Sequence, residues 1–258
     1  METIQSVQNP RVKNWVRLLS KKGRMKDGLY IIEGEHLVEE ALKAKMNIDC
    51  LIIQVGQEHK LHHLEIGATQ IYYVTDAVMR KLTETQTPQG ICAIVQIERP
   101  SIEDIVTDKS FILILDALQD PGNLGTIIRT ADAVGVDAII LGRGTVDLYN
   151  PKVIRSTMGS IFHIPIVEED LECLLPQLKE MGFKRIAASL EGSVAYDQPI
   201  YDGPIAIVIG NEANGVSGQV LDQCEARIKI PIYGKSESLN AAIAAGIILY
   251  EVIRQRKA

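Results

Sequence analysis

The chain has 258 residues, 46% of them apolar and 23% charged, with a formal net charge of −6 at pH 7. Those totals fit an ordinary globular protein with a sizeable core and argue against a general polyanion binder. No apolar run approaches the ~20 residues of a membrane span, and the first residues lack the apolar core of a signal peptide, so a cytoplasmic location is expected.

The first thirty residues set themselves apart. They carry seven basic side chains, Arg11, Lys13, Arg17, Lys21, Lys22, Arg24 and Lys26, against Glu2 and Asp27. This local excess on an acidic body predicts either a phosphate-contacting arm or a solvated, Lys-rich amphipathic helix. A helix is predicted over 12–19, a strand over 30–32, a helix over 35–44 and strands over 51–55 and 91–97. Pro100 and the acidic pair that follows mark a linker.

From residue 111 onward, short apolar strands alternate with helices. Strands are predicted over 111–115, 138–141, 163–167, 184–189, 205–209 and 227–230. Helices are predicted over 124–134, 151–162, 171–181 and 239–256. Continuous apolar strands alternating with helices imply a parallel sheet covered on both faces, hence an α/β fold. Two domains follow, a small α/β module over 1–100 and a larger one over 108–258. Cys50, Cys92, Cys173 and Cys224 lie far apart with no C-x-x-C pair. Free thiols in a reducing compartment are the plain reading, and no metal is expected.

Three strand ends in the larger region carry polar residues and glycines, at the edge where open α/β sheets bind ligands. In the first, Asp120-Pro121-Gly122-Asn123 turns the chain and Arg129 follows six residues after Asn123. Arginine there suits a surface ion pair, a phosphate or a developing oxyanion. In the second, an apolar strand runs into Gly210-Asn211-Glu212, with Gly215 permitting a tight backbone path. In the third, Ile230-Pro231 ends a strand, and Ser238-Leu239-Asn240 precedes an Ala- and Ile-rich helix. Ser238 or Asn240 would serve as a helix cap.

Other chemistries lack their motifs. There is no G-x-G-x-x-G after the first strand, no P-loop, no G-x-S-x-G elbow and no H-E-x-x-H. The His59–His63 cluster lacks acidic or Cys ligands at useful spacing and reads as a polar loop.

Together the three strand ends resemble the signature motifs of the SpoU (TrmH) family of RNA ribose 2′-O-methyltransferases, within the SPOUT superfamily. The first motif matches Asn123, Gly125 and Arg129; the second matches Gly210, Asn211, Glu212 and Gly215; the third matches Ile230-Pro231 and Ser238-Leu239-Asn240. Ser6–Pro10 and Tyr30–Gly34 resemble the ribosomal-protein-like substrate-binding module of longer members. The resemblance implies a deep trefoil knot that holds bent S-adenosylmethionine, with Leu190, Gly210, Asn211, Ile230 and Leu239 at the cofactor. It also implies catalytic roles for Arg129, Asn123, Glu212, Ser238 and Asn240. Arg129 would act as base or as phosphate and alkoxide stabiliser. RNA would be met by Arg11, Lys13, Arg17 and Arg155, and the protein would be a homodimer. A guanosine in 23S rRNA is the expected target, with tRNA methylation or non-catalytic RNA binding as alternatives.

Overall fold

The computed structural model describes residues 3–107, 110–198 and 201–257. The chain runs β1 (Thr3–Ile4), α1 (Pro10–Arg17), α2 (Lys21–Asp27), β2 (Leu29–Glu33), α3 (Glu35–Lys43), β3 (Ile48–Gln54), β4 (Gln70–Val74), α4 (Asp76–Leu82) and β5 (Ile91–Gln96). It continues through α5 (Ile102–Ile105), β6 (Phe111–Leu115), α6 (Pro121–Val134), β7 (Ala138–Gly142), α7 (Pro151–Thr157), β8 (Ile166–Glu169) and α8 (Leu171–Glu180). Then come β9 (Lys184–Ala188), β10 (Val194–Ala195), β11 (Ile205–Ile209), α9 (Gly218–Leu221), β12 (Ala226–Lys229) and α10 (Ala241–Arg256).

Two compact units emerge, Met1–Glu98 with Asp147–His163, and Arg99–Val146 with Ile164–Ala258. The first unit holds a mixed sheet, β1-β4-β3-β5-β2, in which β5 runs antiparallel to both β2 and β3. Its core is made where Val12 and Trp15 of α1 and Val78 and Met79 of α4 pack with Ile52 and Ile94. Asn9 caps α1 by accepting from the Arg11 N–H at 2.9 Å, and Pro10 occupies the first helical turn, where no N–H is missed.

The expected domains ran 1–100 and 108–258; position 108 itself lies outside the described residues. The units differ from that in two places: the second begins at Arg99, and the segment 147–163 belongs to the first. That segment's anchor is Arg24, a buried guanidinium paired with Asp147 and donating to the carbonyls of Leu18 (2.7 Å) and Leu19 (2.9 Å). Tyr149 packs on Tyr30 with ring centroids 4.5 Å apart. The helix expected over 151–162 ends at Thr157, because Met158 and Gly159 take positive φ (51° and 96°) before a 3₁₀ turn at Ser160–Phe162.

The second unit is built on a seven-stranded sheet, β10-β12-β9-β11-β6-β7-β8, in which every pairing is parallel. All residues of β6, β7 and β11 are buried, as continuous apolar runs require when helices cover both faces. Leu174, Leu175 and Leu178 of α8 and Val220 of α9 pack against Ile112, Ile114, Ile140 and Val208. The alternate strand residues face the opposite side of the sheet. There α6 and α10 pack on each other, close enough that a Cβ added at Gly246 would meet Thr130 Cγ2 at 3.8 Å. Because the strands are parallel, the carboxyl ends of β6, β11 and β12 open on one side, and the loops that follow them carry the three motifs.

Candidate active site

A cavity of about 460 Å³ opens at this edge of the second unit. Its wall is formed by residues 188–191 at the end of β9, 209–216 at the end of β11, 228–230 and Ile232 at the end of β12, and Ser238, Leu239 and α10 beyond them. All five residues expected at a cofactor, Leu190, Gly210, Asn211, Ile230 and Leu239, line it, as do Glu212 and Ser238.

The 210–216 wall has a specific build. Asn211 and Gly215 exchange backbone hydrogen bonds at 2.9 Å in each direction. The Asn211 side chain holds this hairpin from inside, its Oδ1 accepting from the N–H of Ala213 (2.9 Å) and Asn214 (3.1 Å). Its amide Nδ2 donates to the Ala117 carbonyl at 2.8 Å, tying the second motif to the end of β6. Asp116, also buried, accepts from the Ser217 N–H at 2.7 Å. Nothing in the spacing distinguished Asp116 or Ala117 beforehand, since a polar residue after an apolar strand is common.

Beside the cavity the three motifs meet in one chain of hydrogen bonds. Asn240 caps α10, its Oδ1 accepting from the N–H groups of Ala242 (2.9 Å) and Ile243 (3.3 Å). Its Nδ2 donates to Asn123 Oδ1 at 2.9 Å, and Asn123 Nδ2 donates to Glu212 Oε1 at 3.0 Å. Glu212 also accepts from the backbone N–H of Gln119 (3.0 Å) and Asp120 (2.9 Å). A carboxylate can only accept, so Glu212 fixes the polarity of the whole chain. Asn123 must turn its amide to Glu212 and its oxygen to Asn240, and Asn240 must turn its oxygen to the helix.

Burial pushes the Glu212 carboxyl up, but hydrogen bonds from Asn123, Gln119 and Asp120 outweigh it and hold the group below the usual carboxylate range. A carboxylate depressed in the folded state contributes stability above its unfolded pKa of about 4.3, and that contribution is lost as pH falls through the folded value. Urea midpoints of the protein and of Glu212→Gln should therefore differ most near neutrality and converge only once pH has fallen well below about 4.3. A gap that stays constant over that range would mean the Glu212 charge does not stabilise the network.

Arg129 lies six residues beyond Asn123 on α6, about 9 Å along the axis. It is exposed, and its side chain makes no hydrogen bond or ion pair among the described residues. Asn123 sits in the first turn of α6, and Asn240 caps α10, so their hydrogen bond brings two helix N-termini together. The positive ends of both helices and a free guanidinium on α6 favour an anion on this side of the unit.

The residues expected to meet RNA lie in the first unit. Arg11 stacks over Tyr72, 4.7 Å from the ring centroid, and donates to the Tyr72 hydroxyl. Arg17 pairs with Asp27 at 3.0 Å. Lys13 is exposed, and its side chain makes no hydrogen bond or ion pair among the described residues. Arg155 is half-buried and lines a water-sized cavity with Glu33 and Glu84. The basic stretch is thus two folded helices, and Arg24 is spent on Asp147. Among the described residues no group of His, Cys, Asp and Glu could hold a metal ion.

The profile of the SpoU rRNA Methylase family matches residues 110–250, and that of the MRM3-like substrate binding domain matches residues 9–93. The 23S rRNA (guanosine(2553)-2′-O)-methyltransferase RlmP of Bacillus subtilis is 40% identical over 252 residues, covering 98% of this chain and 99% of that protein. An AdoMet-bound rRNA methyltransferase structure from Sinorhizobium meliloti superposes with a TM-score of 0.89 at 34% identity, covering 98% of this chain and 97% of that one. The SpoU methyltransferase AviRb of Streptomyces viridochromogenes, in complex with AdoMet, has a TM-score of 0.89 at 27% identity, with coverage of 97% and 99%.

Proposed function

The chain belongs to the SpoU rRNA methylase family, and from that premise we propose that it transfers a methyl group from S-adenosylmethionine to a ribose 2′-hydroxyl, on a guanosine of 23S rRNA. The strongest support is the chain Asn240–Asn123–Glu212, which joins all three motifs beside a cavity bounded by two of them. At about 460 Å³ that cavity falls in the range that encloses a small cofactor. Its wall is mainly aliphatic side chains and strand-end backbone, which suits a flat adenine, with Glu191 and Glu212 as carboxylates for a cation. Gly210 keeps the wall thin, Leu190, Ile230 and Leu239 pack on the cofactor, and Asn211 holds the loop that shapes it. When bound, S-adenosylmethionine supplies an electrophilic methyl group on a sulfonium.

The protein's own residues must position a poor nucleophile and accommodate the charge as its proton leaves. The Arg129 side chain offers a planar fork of N–H donors and no acceptor. It therefore binds the substrate phosphate and stabilises the developing alkoxide, and the hydroxyl proton leaves to a phosphate oxygen or to water. Asn123 and Asn240, locked in orientation by Glu212, hold the ribose, and Ser238 lines the passage between ribose and cofactor. In the first unit, Lys13, Arg11, Arg17 and Arg155 supply RNA contacts, with Lys13 the readiest of them.

The same reading includes the trefoil knot, supported by the family and by the meeting of the three motifs at one sheet edge. It includes a cytoplasmic location; among the described residues no helix is long and apolar enough to cross a membrane. It also includes a homodimer. Ile243 and Tyr250, exposed at 56% and 58%, lie seven residues apart on α10 and present an apolar stripe for a second copy.

Mapping ribose methylation across total RNA, with and without the protein, should reveal one 23S guanosine that loses its 2′-O-methyl group. A lost tRNA mark with intact rRNA would redirect the substrate, and no lost mark would remove the catalytic reading.

A further inference from the structure

The loop between β12 and α10 leaves the cavity wall at Ile232 and returns to it at Ser238 and Leu239. The residue after Ile232 is Tyr233, whose exposure is 96%. No other large hydrophobic residue on the described surface exceeds 58%. Residues 233–240 are all exposed, and the side-chain hydrogen bond within 233–239 joins Ser236 Oγ to the Ser238 carbonyl at 2.8 Å. Among the described residues nothing covers the Tyr233 ring or holds it away from solvent.

Its position gives that exposure a use. Consecutive Cα atoms are about 3.8 Å apart, so the ring hangs from the rim of the cavity. Among the described residues the cavity wall itself contains no aromatic side chain. A ribose brought to this rim carries its base with it, and a base removed from a helical stack needs a new flat partner. A phenol ring provides one at small conformational cost, and every base has a face to offer it. Lys235, two residues on and also exposed, supplies a charge for an adjoining phosphate.

Resting on the methyltransferase reading above, we propose that Tyr233 is the stacking platform for an unpaired RNA base at the reacting nucleotide. It positions substrate and takes no part in proton transfer. Stacking is indifferent to base identity, so Tyr233 selects for an unpaired nucleotide and leaves the choice of guanosine to other groups.

The test uses the full protein, Tyr233→Phe and Tyr233→Ala, with rRNA from cells lacking the protein as substrate. Tyr233→Ala should raise KM for RNA roughly 5- to 150-fold, the span that loss of one stacked base implies. Tyr233→Phe should stay within about twofold of the parent, since the ring face is kept. The dissociation constant for S-adenosylmethionine and the sedimentation coefficient should be the same for all three proteins. An unchanged KM in Tyr233→Ala overturns the proposal. So does a weakened cofactor affinity, which would make Tyr233 a cofactor residue, or a change in oligomeric state, which would make it a subunit contact. Absence of methyl transfer by the parent protein would instead overturn the functional reading, and this proposal with it.

Discussion

Arg129→Ala is expected to lower the single-turnover rate of methyl transfer by about 10²- to 10³-fold, the loss seen when one donor to a developing oxyanion is removed. Binding of S-adenosylmethionine, followed by calorimetry, should change by less than twofold, because Arg129 does not line the cavity. The variant should also remain as stable as the parent. The exposed Arg129 side chain bonds to no described residue, so its removal leaves no buried group unpaired, and such surface changes fall within about ±0.5 kcal/mol. That makes the experiment unusually clean, since a fall in rate cannot be traced to unfolding. Arg129→Lys tests whether the charge itself carries the effect. A lysine retains the charge and loses the planar fork, so a phosphate and alkoxide stabiliser should recover part of the rate. A full rate in Arg129→Ala would remove the residue from the chemistry altogether.

How much of this site could be read from the amino acids differs from residue to residue. A cap at Ser238 or Asn240 was legible, because polar residues before an apolar helix suit that role, and the structure gives it to Asn240. Its second bond, to Asn123, was not, since 117 residues separate them and only the sheet order makes them neighbours. Periodicity predicted β6, β7 and β11 well because both faces of those strands are buried. It missed β4 (Gln70–Val74), whose outer residues are half-exposed and whose register is fixed by β3 and β1 on either side. The pattern of 151–162 predicted a helix but carried no information on which unit would receive it. That was decided by Arg24, which sits in the run Lys21-Lys22-Gly23-Arg24 and reads as one more solvated cation. Gly23 is the local clue. A Cβ there would lie 2.0 Å from the Arg17 carbonyl oxygen, so α2 can fold tightly against the end of α1 and turn Arg24 inward.

Gly210→Ala is expected to have the second large effect, on the cavity rather than on the chemistry. A Cβ at Gly210 would stand 2.1 Å from the Gly215 carbonyl carbon and 2.1 Å from the Val216 nitrogen. Both are backbone atoms, so no side chain can rotate away to make room. Relief requires opening the Asn211–Gly215 pairing, which also carries the Asn211 side-chain bonds and forms one wall of the cavity. Overpacking of this kind costs typically 1–3 kcal/mol, and the displaced wall should weaken S-adenosylmethionine binding at least tenfold in a calorimetric titration. Gly215→Ala provides the contrast. Gly215 takes φ +68° with open space where a Cβ would point, so alanine there meets strain of only about 1 kcal/mol and no collision. Thermal midpoints should fall in the order parent, Gly215→Ala, Gly210→Ala, and cofactor affinity should drop sharply only in the last. If the two variants bind the cofactor equally well, the close approach of backbone at Gly210 serves the fold of the loop and not the shape of the pocket.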